Sequence, residues 1–401
     1  MSNRLRQITA DYPKQFWILF WGLLVNSTGG SMVWPFLTIF MREQLAIPLT
    51  TVTLLFTVNS AAGLVATSFA GPTVDRLGRK RVMVLSLAGS SVVLLGMSRA
   101  DSLAGWVVMM ILNGALGPLY RVGSDAMVAD LVEPEQRASA YALLRMINNL
   151  GIAVGPMAGG FITSVSYSLA FYAAAGAHLI FGGLIALAVR ETLTRAAATA
   201  SATPADGGYG PVLRDRPFVA FVGVYTLAVI PSALLMMLLA VYAKENFGVP
   251  ESQYGFIMAT NALMVVLFQY AVTHVSQRRP HLLVLTVGTL FYAVGVGSVA
   301  LGRGFWAFWL SMVIATIGEL LIVPTATALT ANLAPPDMRG RYMGLYGLTW
   351  GVAFGIGPVV GGYLNDHIAP VTIWYSGLAI GLAAALGFVL LGRRLRVGGT
   401  G

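Results

Sequence analysis

The sequence predicts an all-α membrane protein: twelve transmembrane helices in two pseudo-symmetric six-helix bundles. Three observations predict it. Of 401 residues, 57% are hydrophobic and only 10% charged, whereas a soluble domain carries roughly 25% charged residues. The apolar residues fall into runs near the ~20 residues that a helix needs to cross a bilayer. The two halves of the chain repeat one another at a fixed offset. This composition excludes a soluble enzyme, a disordered protein and a nucleic-acid-binding domain.

The twelve expected spans lie near 15–41, 49–70, 82–98, 104–131, 138–165, 167–190, 218–243, 251–276, 282–301, 305–334, 341–365 and 369–392. The N-terminal MSNRLRQITADYPK has no signal-peptide apolar stretch or cleavage site, so span one is expected to serve as the membrane signal. Several spans hold Gly, Pro, Asn or a charge, as helices lining a water-filled cavity do. With the N-terminus placed in the cytoplasm, nineteen Lys and Arg fall in cytoplasmic segments and four on the other side (Arg42, Arg99, Lys244, Arg303). That asymmetry places both termini in the cytoplasm and accounts for the net charge of +9 as topology rather than nucleic-acid binding. There is no cysteine, and the four His lack metal-ligand spacing, so no metal site is expected.

The long polar segment 191–217 reads as a cytoplasmic linker between bundles 1–190 and 218–401. A shift of 202 residues places Ala126, Ala129, Leu131, Pro134 and Arg137 on Ala328, Ala331, Leu333, Pro336 and Arg339. It also places Gly155-Pro156 on Gly357-Pro358 and Gly159-Gly160 on Gly361-Gly362. Repeated bundles around a central cavity are an architecture of secondary transporters.

Two motifs sharpen this expectation. The loop after span two reads Gly71-Pro72-Thr73-Val74-Asp75-Arg76-Leu77-Gly78-Arg79-Lys80-Arg81, and span five carries Gly151-x-x-x-Gly155-Pro156-x-x-Gly159-Gly160. The loop resembles the major facilitator superfamily signature G-x-x-x-D-R-x-G-R-[KR]-[KR] at every fixed position. The span-five run resembles the G-x-x-x-G-P-x-x-G-G motif of the twelve-span drug/proton antiporters. The resemblance covers essentially the whole chain in topology. It implies a multi-pass cell-membrane exporter, monomeric and surrounded by membrane lipids, that exchanges protons for a small molecule, a lipophilic cation. It implies no cofactor: the proton gradient is the energy source. The family usually has an Arg on span four, three residues before a Gln-Gly or similar pair; here Asn113-Gly114 holds the pair and Met110 the Arg position. The second half's copy of the loop is reduced to THVSQRRP (273–280), which keeps basic charge and little else.

Each motif admits a structural and a functional reading. Asp75 is either a solvated turn charge or, as the resemblance implies, a latch on the N-terminus of span eleven, with Gly71, Arg76, Gly78 and Arg79 shaping the loop. Gly151, Gly155, Pro156, Gly159 and Gly160 either let helices pack closely in lipid or form a bent seam for rocking. Charges inside spans are the sharpest clue, because each costs at least ~2.5–3.5 kcal/mol at the bilayer centre. Glu319, midway along span ten, has no cation one turn away on its helix. It reads as a neutral acid bonded to a neighbouring helix, or as the proton carrier and cation site. On span four, Arg121 and Asp125 are spaced i,i+4 for an ion pair. Asp130, near the span's cytoplasmic end, reads either as a gate charge, with Arg145 a candidate partner, or as a protonation site. Some multidrug antiporters resemble this pattern, with an acid ending span four and a Glu in span ten. Asn26, Trp34, Asn113, Asn148, Met236, Asn261 and Tyr292 are cavity candidates, core packing being the alternative for most of them.

The leading function is therefore a proton-coupled exporter of lipophilic cations. The alternative is a proton-coupled transporter of one metabolite, such as a sugar, amino acid or lipid precursor. A sensor or scaffold lacks the expected soluble domain, and no nucleophile–base or metal constellation suggests an enzyme.

Overall fold

The computed structural model describes residues 12–134, 136–193, 209–335 and 338–397. Most of the linker, Arg4, Arg6, Arg195 and Pro336 lie outside the described residues. All regular structure within them is helical, and eleven helices are long and apolar enough to cross a membrane. The remaining expected span, Arg137–Val165, is a 29-residue helix. Its Arg145, paired asparagines at 148 and 149 and glycine run interrupt its apolar stretch and keep it out of that set.

Helix ends follow local chemistry. Span four runs Leu103–Leu131, and the Ser102 hydroxyl caps it by accepting the Gly105 N–H at 3.2 Å. Span seven, Arg216–Phe247, begins at Asp215, whose carboxylate accepts the Phe218 N–H at 3.1 Å, and ends at Gly248 with φ +65. Span one differs from the single helix expected over 15–41. It runs Lys14–Val33, tightens into a 3₁₀ turn at Trp34–Phe36 and resumes as Leu37–Leu45. Pro35 supplies the reason, since it has no N–H to donate in a continuous helix.

The chain forms two compact units, residues 1–34 with 61–204, and residues 35–60 with 205–401. In the first, spans one, three, four, five and six share a core around Phe16, Phe20, Met83, Met127, Leu144 and Phe181. Gly22 admits the Phe181 ring, which lies 2.0 Å from where a Cβ would stand. The span-five glycines seat span one: a Cβ on Gly151, Gly155 or Gly159 would fall 2.0 Å from Ser27 Oγ, 1.9 Å from Ser31 Oγ or 2.3 Å from Met32 O. The Ser31 hydroxyl donates to Gly151 O at 3.1 Å across this crossing. Because the atom facing Gly159 is backbone, Gly159→Ala is expected to force the helices apart at a cost of about 1–3 kcal/mol. A lower midpoint of thermal unfolding in detergent checks this; an unchanged midpoint contradicts it.

In the second unit the same crossing recurs. Gly155 faces Thr28, and Gly357 faces Ile230; Gly159 faces Met32, and Gly361 faces Leu234, which lies 2.8 Å from where a Cβ would stand. Each partner is displaced by the same 202 residues, so the repeat in sequence is also a repeat in contacts. Span seven is the most buried helix of the eleven. Spans nine (His281–Ser298) and ten (Phe305–Leu333) cross at glycine: a Cβ on Gly318 would lie 2.6 Å from Gly288 O and 2.9 Å from the Tyr292 N.

Candidate functional site

The residue after Gly318 is Glu319, so the glycine crossing brings this carboxylate against span nine. Span eight (Glu251–Ser276) supplies its hydrogen bond: Asn261 Nδ2 donates to Glu319 Oε2 at 2.8 Å and to Thr316 Oγ1 at 3.0 Å. Thr316 donates in turn to Met312 O at 2.7 Å. The Tyr292 side chain is buried close enough to feel the Glu319 charge. No ion pair among the described residues includes Glu319. Three of the sequence candidates, Glu319, Asn261 and Tyr292, therefore stand in one place within the second unit.

Further phenols extend the site. Tyr225 of span seven and Tyr346 of span eleven (Arg339–His367) share a hydroxyl contact of 3.1 Å, with rings 5.1 Å apart. Thr327 lies 3.2 Å from the Tyr346 hydroxyl. A single carboxylate beside buried aromatic rings can attract a cation electrostatically and through ring faces. Tyr346 and Thr327 were not singled out in the sequence. A signal existed for Tyr346: Tyr342, Tyr346, Trp350 and Phe354 fall at i,i+4 intervals, one aromatic stripe along a helix face.

In the first unit, Asp130 pairs with Arg79 Nε at 3.1 Å and accepts the Thr192 hydroxyl at 2.7 Å, rather than meeting Arg145. Arg121 and Asp125 do not approach within 4.0 Å, and both are exposed, as is Arg145. The Tyr141 hydroxyl donates to the Asp125 backbone carbonyl at 2.8 Å. Asn26 Oδ1 is buried without a hydrogen bond. Trp34, Asn113, Asn148 and Met236 are half-buried. His178 is bonded to the Ala174 carbonyl one turn back, at 2.8 Å.

The signature run is not the loop expected after residue 70: residues 71–77 are the last turns of the span-two helix, which ends at Leu77, and the chain turns at Gly78, where it has an organiser outside the motif. Glu191 accepts the Arg79 N–H at 3.0 Å and the Lys80 N–H at 3.1 Å, capping span three (Arg79–Met97). Gly78 has φ +96, and a Cβ there would lie 2.4 Å from Glu191 Oε2. Both constraints demand glycine. Gly78→Ala is expected to cost ~1–3 kcal/mol and Glu191→Ala ~0.5–2 kcal/mol. Because both break one cap, the double variant is expected to lose less than the sum. Unfolding midpoints of the four proteins check this, and strict additivity contradicts it. Asp75 has no hydrogen bond or ion pair among the described residues.

An acid does meet a helix N-terminus, at span two (Leu49–Leu77), within the second unit. Asp366, near the end of span eleven, accepts the Thr50 N–H and the Thr50 hydroxyl, each at 2.7 Å. Arg42 lies 3.8 Å from Asp366 and bonds Glu245 at 2.8 Å, while Lys244 bonds both Glu43 and Glu251. Thr57 donates to Gly355 O at 2.5 Å. Residues 42–57 are thus fastened to spans seven, eight and eleven by ion pairs and capping bonds. Among the described residues no group of three or more His, Asp or Glu could hold a metal ion.

The chain is similar to known proteins. The family model described as Major Facilitator Superfamily matches residues 19–243 and 221–399. The chain is 28% identical over 389 residues to "Uncharacterized MFS-type transporter YttB" of Bacillus subtilis, covering 96% of each chain. It is 26% identical to a "Na(+), Li(+), K(+)/H(+) antiporter" of Planococcus maritimus, covering 95% of this chain and 96% of that one. It is 27% identical to "Multidrug resistance protein MdtH" of Proteus mirabilis over 74% of each. In fold it is similar to a POT family transporter crystallised with 5-aminolevulinic acid, with TM-score 0.79, 16% identity, and coverage of 95% of this chain and 96% of that one.

Proposed function

The chain belongs to the Major Facilitator Superfamily and is a multi-pass membrane transporter of small molecules; on that premise we propose that it is a proton-coupled exporter of lipophilic cations working by alternating access. The observation that carries this reading is Glu319, a carboxylate midway along a span, bonded to a neutral amide and neighboured by Tyr292. A carboxyl without a permanent counter-cation has two uses for the same charge. Ionised, it attracts a cation; protonated, it releases one. Proton and substrate then compete for one group, which is the minimum requirement for exchange. The buried rings of Tyr225, Tyr292 and Tyr346 suit an apolar cation whose shape varies.

The reading includes Arg137–Val165 as the fifth of twelve crossings, both termini in the cytoplasm, and bundles 1–190 and 218–401 joined by the linker 191–217. It places the protein in the cell membrane as a monomer, with the proton gradient as its energy source and no cofactor. The exposed Arg121, Asp125 and Arg145 fit it too, since charges within spans belong at a water-filled cavity rather than in lipid. Asp130 would join Glu319 in proton coupling, and the Arg79 loop would act as the cytoplasmic latch. The names of two relatives, a multidrug resistance protein and a cation/proton antiporter, support exchange of cations.

The cycle follows. The inward-facing state binds the drug at ionised Glu319 and rocks outward; external protons neutralise the carboxyl and release the drug; the return step brings the protons in. Proteoliposomes with an acid interior test this. Several unrelated lipophilic cations are expected to trigger proton release from the interior. A response confined to one neutral metabolite, or to alkali cations, would replace the substrate class proposed here.

A further inference from the structure

The signature motif at the end of span two and its reduced copy at the end of span eight occupy equivalent places in the repeat but differ in charge. In the first unit the basic corner is neutralised: Arg79 pairs with Asp130, and Glu191 caps the helix that Arg79 begins. The 202-residue offset carries Asp75 to Gln277, Asp130 to Asn332 and Glu191 to Arg393. Each acid has become neutral or basic. The offset holds locally, because span three begins at Arg79 and span nine at His281, while span four begins at Leu103 and span ten at Phe305. Contacts agree: Glu191 holds the Lys80 N–H, and a Cβ on Gly392, beside Arg393, would lie 3.6 Å from the side chain of Leu282, the equivalent of Lys80.

This second corner is left electropositive. Arg278, Arg279 and Arg393 are exposed, and none of the three forms an ion pair among the described residues. The contact of Arg278 is with a histidine, His274, at 3.2 Å. His281 begins span nine behind Pro280, which offers no side-chain cap. Directly beside Arg279 is an apolar crevice of about 520 Å³ between spans eight, nine and ten. Val272, Val275, Leu283, Val287 and Leu321 line it, and Arg279 borders it at the loop end. Its volume falls in the range that takes an extended apolar ligand.

We propose that this crevice holds an anionic phospholipid of the leaflet that faces the span eight–nine loop, with one acyl chain in the groove and the phosphate on Arg278 and Arg279. Charge complementarity selects the occupant. Hydrocarbon alone would fill the groove in any bilayer, but guanidinium groups at its mouth that form no ion pair among the described residues favour a lipid whose headgroup is negative. Arginine suits this role because its planar fork bonds phosphate oxygens in pairs. The proposal does not depend on which substrate is transported.

The test is native mass spectrometry of the full-length protein in detergent, incubated with equal amounts of phosphatidylglycerol and phosphatidylcholine. The unaltered protein is expected to retain one phosphatidylglycerol preferentially. Arg278→Gln and Arg279→Gln are each expected to lower that retention about fivefold. Val275→Trp, which fills the groove, is expected to lower it as well, and Arg303→Gln, in a different loop, to leave it unchanged. Equal retention of the two lipids by the unaltered protein overturns the proposal. So does an arginine double variant that binds like the original, or displacement of the lipid by inorganic phosphate, which would indicate an anion site without a chain in the groove. The arginine variants alter only exposed side chains, so the test stands even if Val275→Trp fails to fold.

Discussion

Glu319→Gln is expected to give a folded, membrane-inserted protein that no longer releases protons when a lipophilic cation is added. The substitution conserves shape, and the new side-chain oxygen still accepts the 2.8 Å bond from Asn261. Folding is therefore retained, while the group that carries charge and proton is gone. Removing one partner of a desolvated charge interaction costs about 2–5 kcal/mol, so binding of a monovalent cation should weaken roughly 30-fold or more. Proton exchange should fall to the background of empty liposomes, because a glutamine offers no site for the exchanged proton. Neutral lipophilic compounds should lose much less affinity than cations, since ring contacts with Tyr225, Tyr292 and Tyr346 persist. Two measurements check this on one preparation: proton release in proteoliposomes, and equilibrium binding of a cationic and a neutral fluorophore. Full proton-coupled activity in the variant would reduce Glu319 to a structural acid.

Asp366→Ala is expected to loosen residues 42–57 from the second unit. The carboxylate satisfies two groups of Thr50 at the N-terminus of span two, where a helix dipole favours a negative charge. Hydrogen bonds to a charged group contribute ~1.5–3 kcal/mol, so the fastened arrangement should lose on the order of 10- to 100-fold in its equilibrium with a released one. The sequence has no cysteine, so a single introduced Cys is a clean reporter. At Thr57→Cys, beside Gly355, a membrane-impermeant maleimide should react markedly faster when Asp366 is absent. Asp366→Asn should fall between the two, because the amide oxygen still accepts the Thr50 N–H but carries no charge. If labelling rates are the same in all three, these bonds do not hold the segment.

Much of the fold was legible because the bilayer imposes a simple rule on composition. The expected span 251–276 is the helix Glu251–Ser276, and 138–165 is Arg137–Val165. The break inside span one was not foreseen, because hydropathy averages over Pro35, whereas the backbone responds to one missing N–H. The fifth span shows the converse. Its helix is plain in the structure, yet Asn148, Asn149 and Arg145 leave it less apolar than its neighbours. Within the candidate site, Glu319 stood out because an ion in an apolar run is costly. Asn261 and Tyr292 were two among many polar and aromatic candidates until the glycine crossing at Gly288 and Gly318 brought them beside it.

The sequence by itself determined the transmembrane class, the 202-residue repeat, the signature loop and the singular acid of span ten. These follow from composition and local spacing, which a linear chain displays directly. The tertiary structure alone decided the partners of each charge. Asp130 went to Arg79 rather than Arg145, Glu191 capped span three from 111 residues away, and Asp366 reached Thr50 across 316. Such pairings depend on which helix faces meet, and close packing at glycines sets those faces to within an ångström. Hydropathy and helical periodicity contain no information at that range.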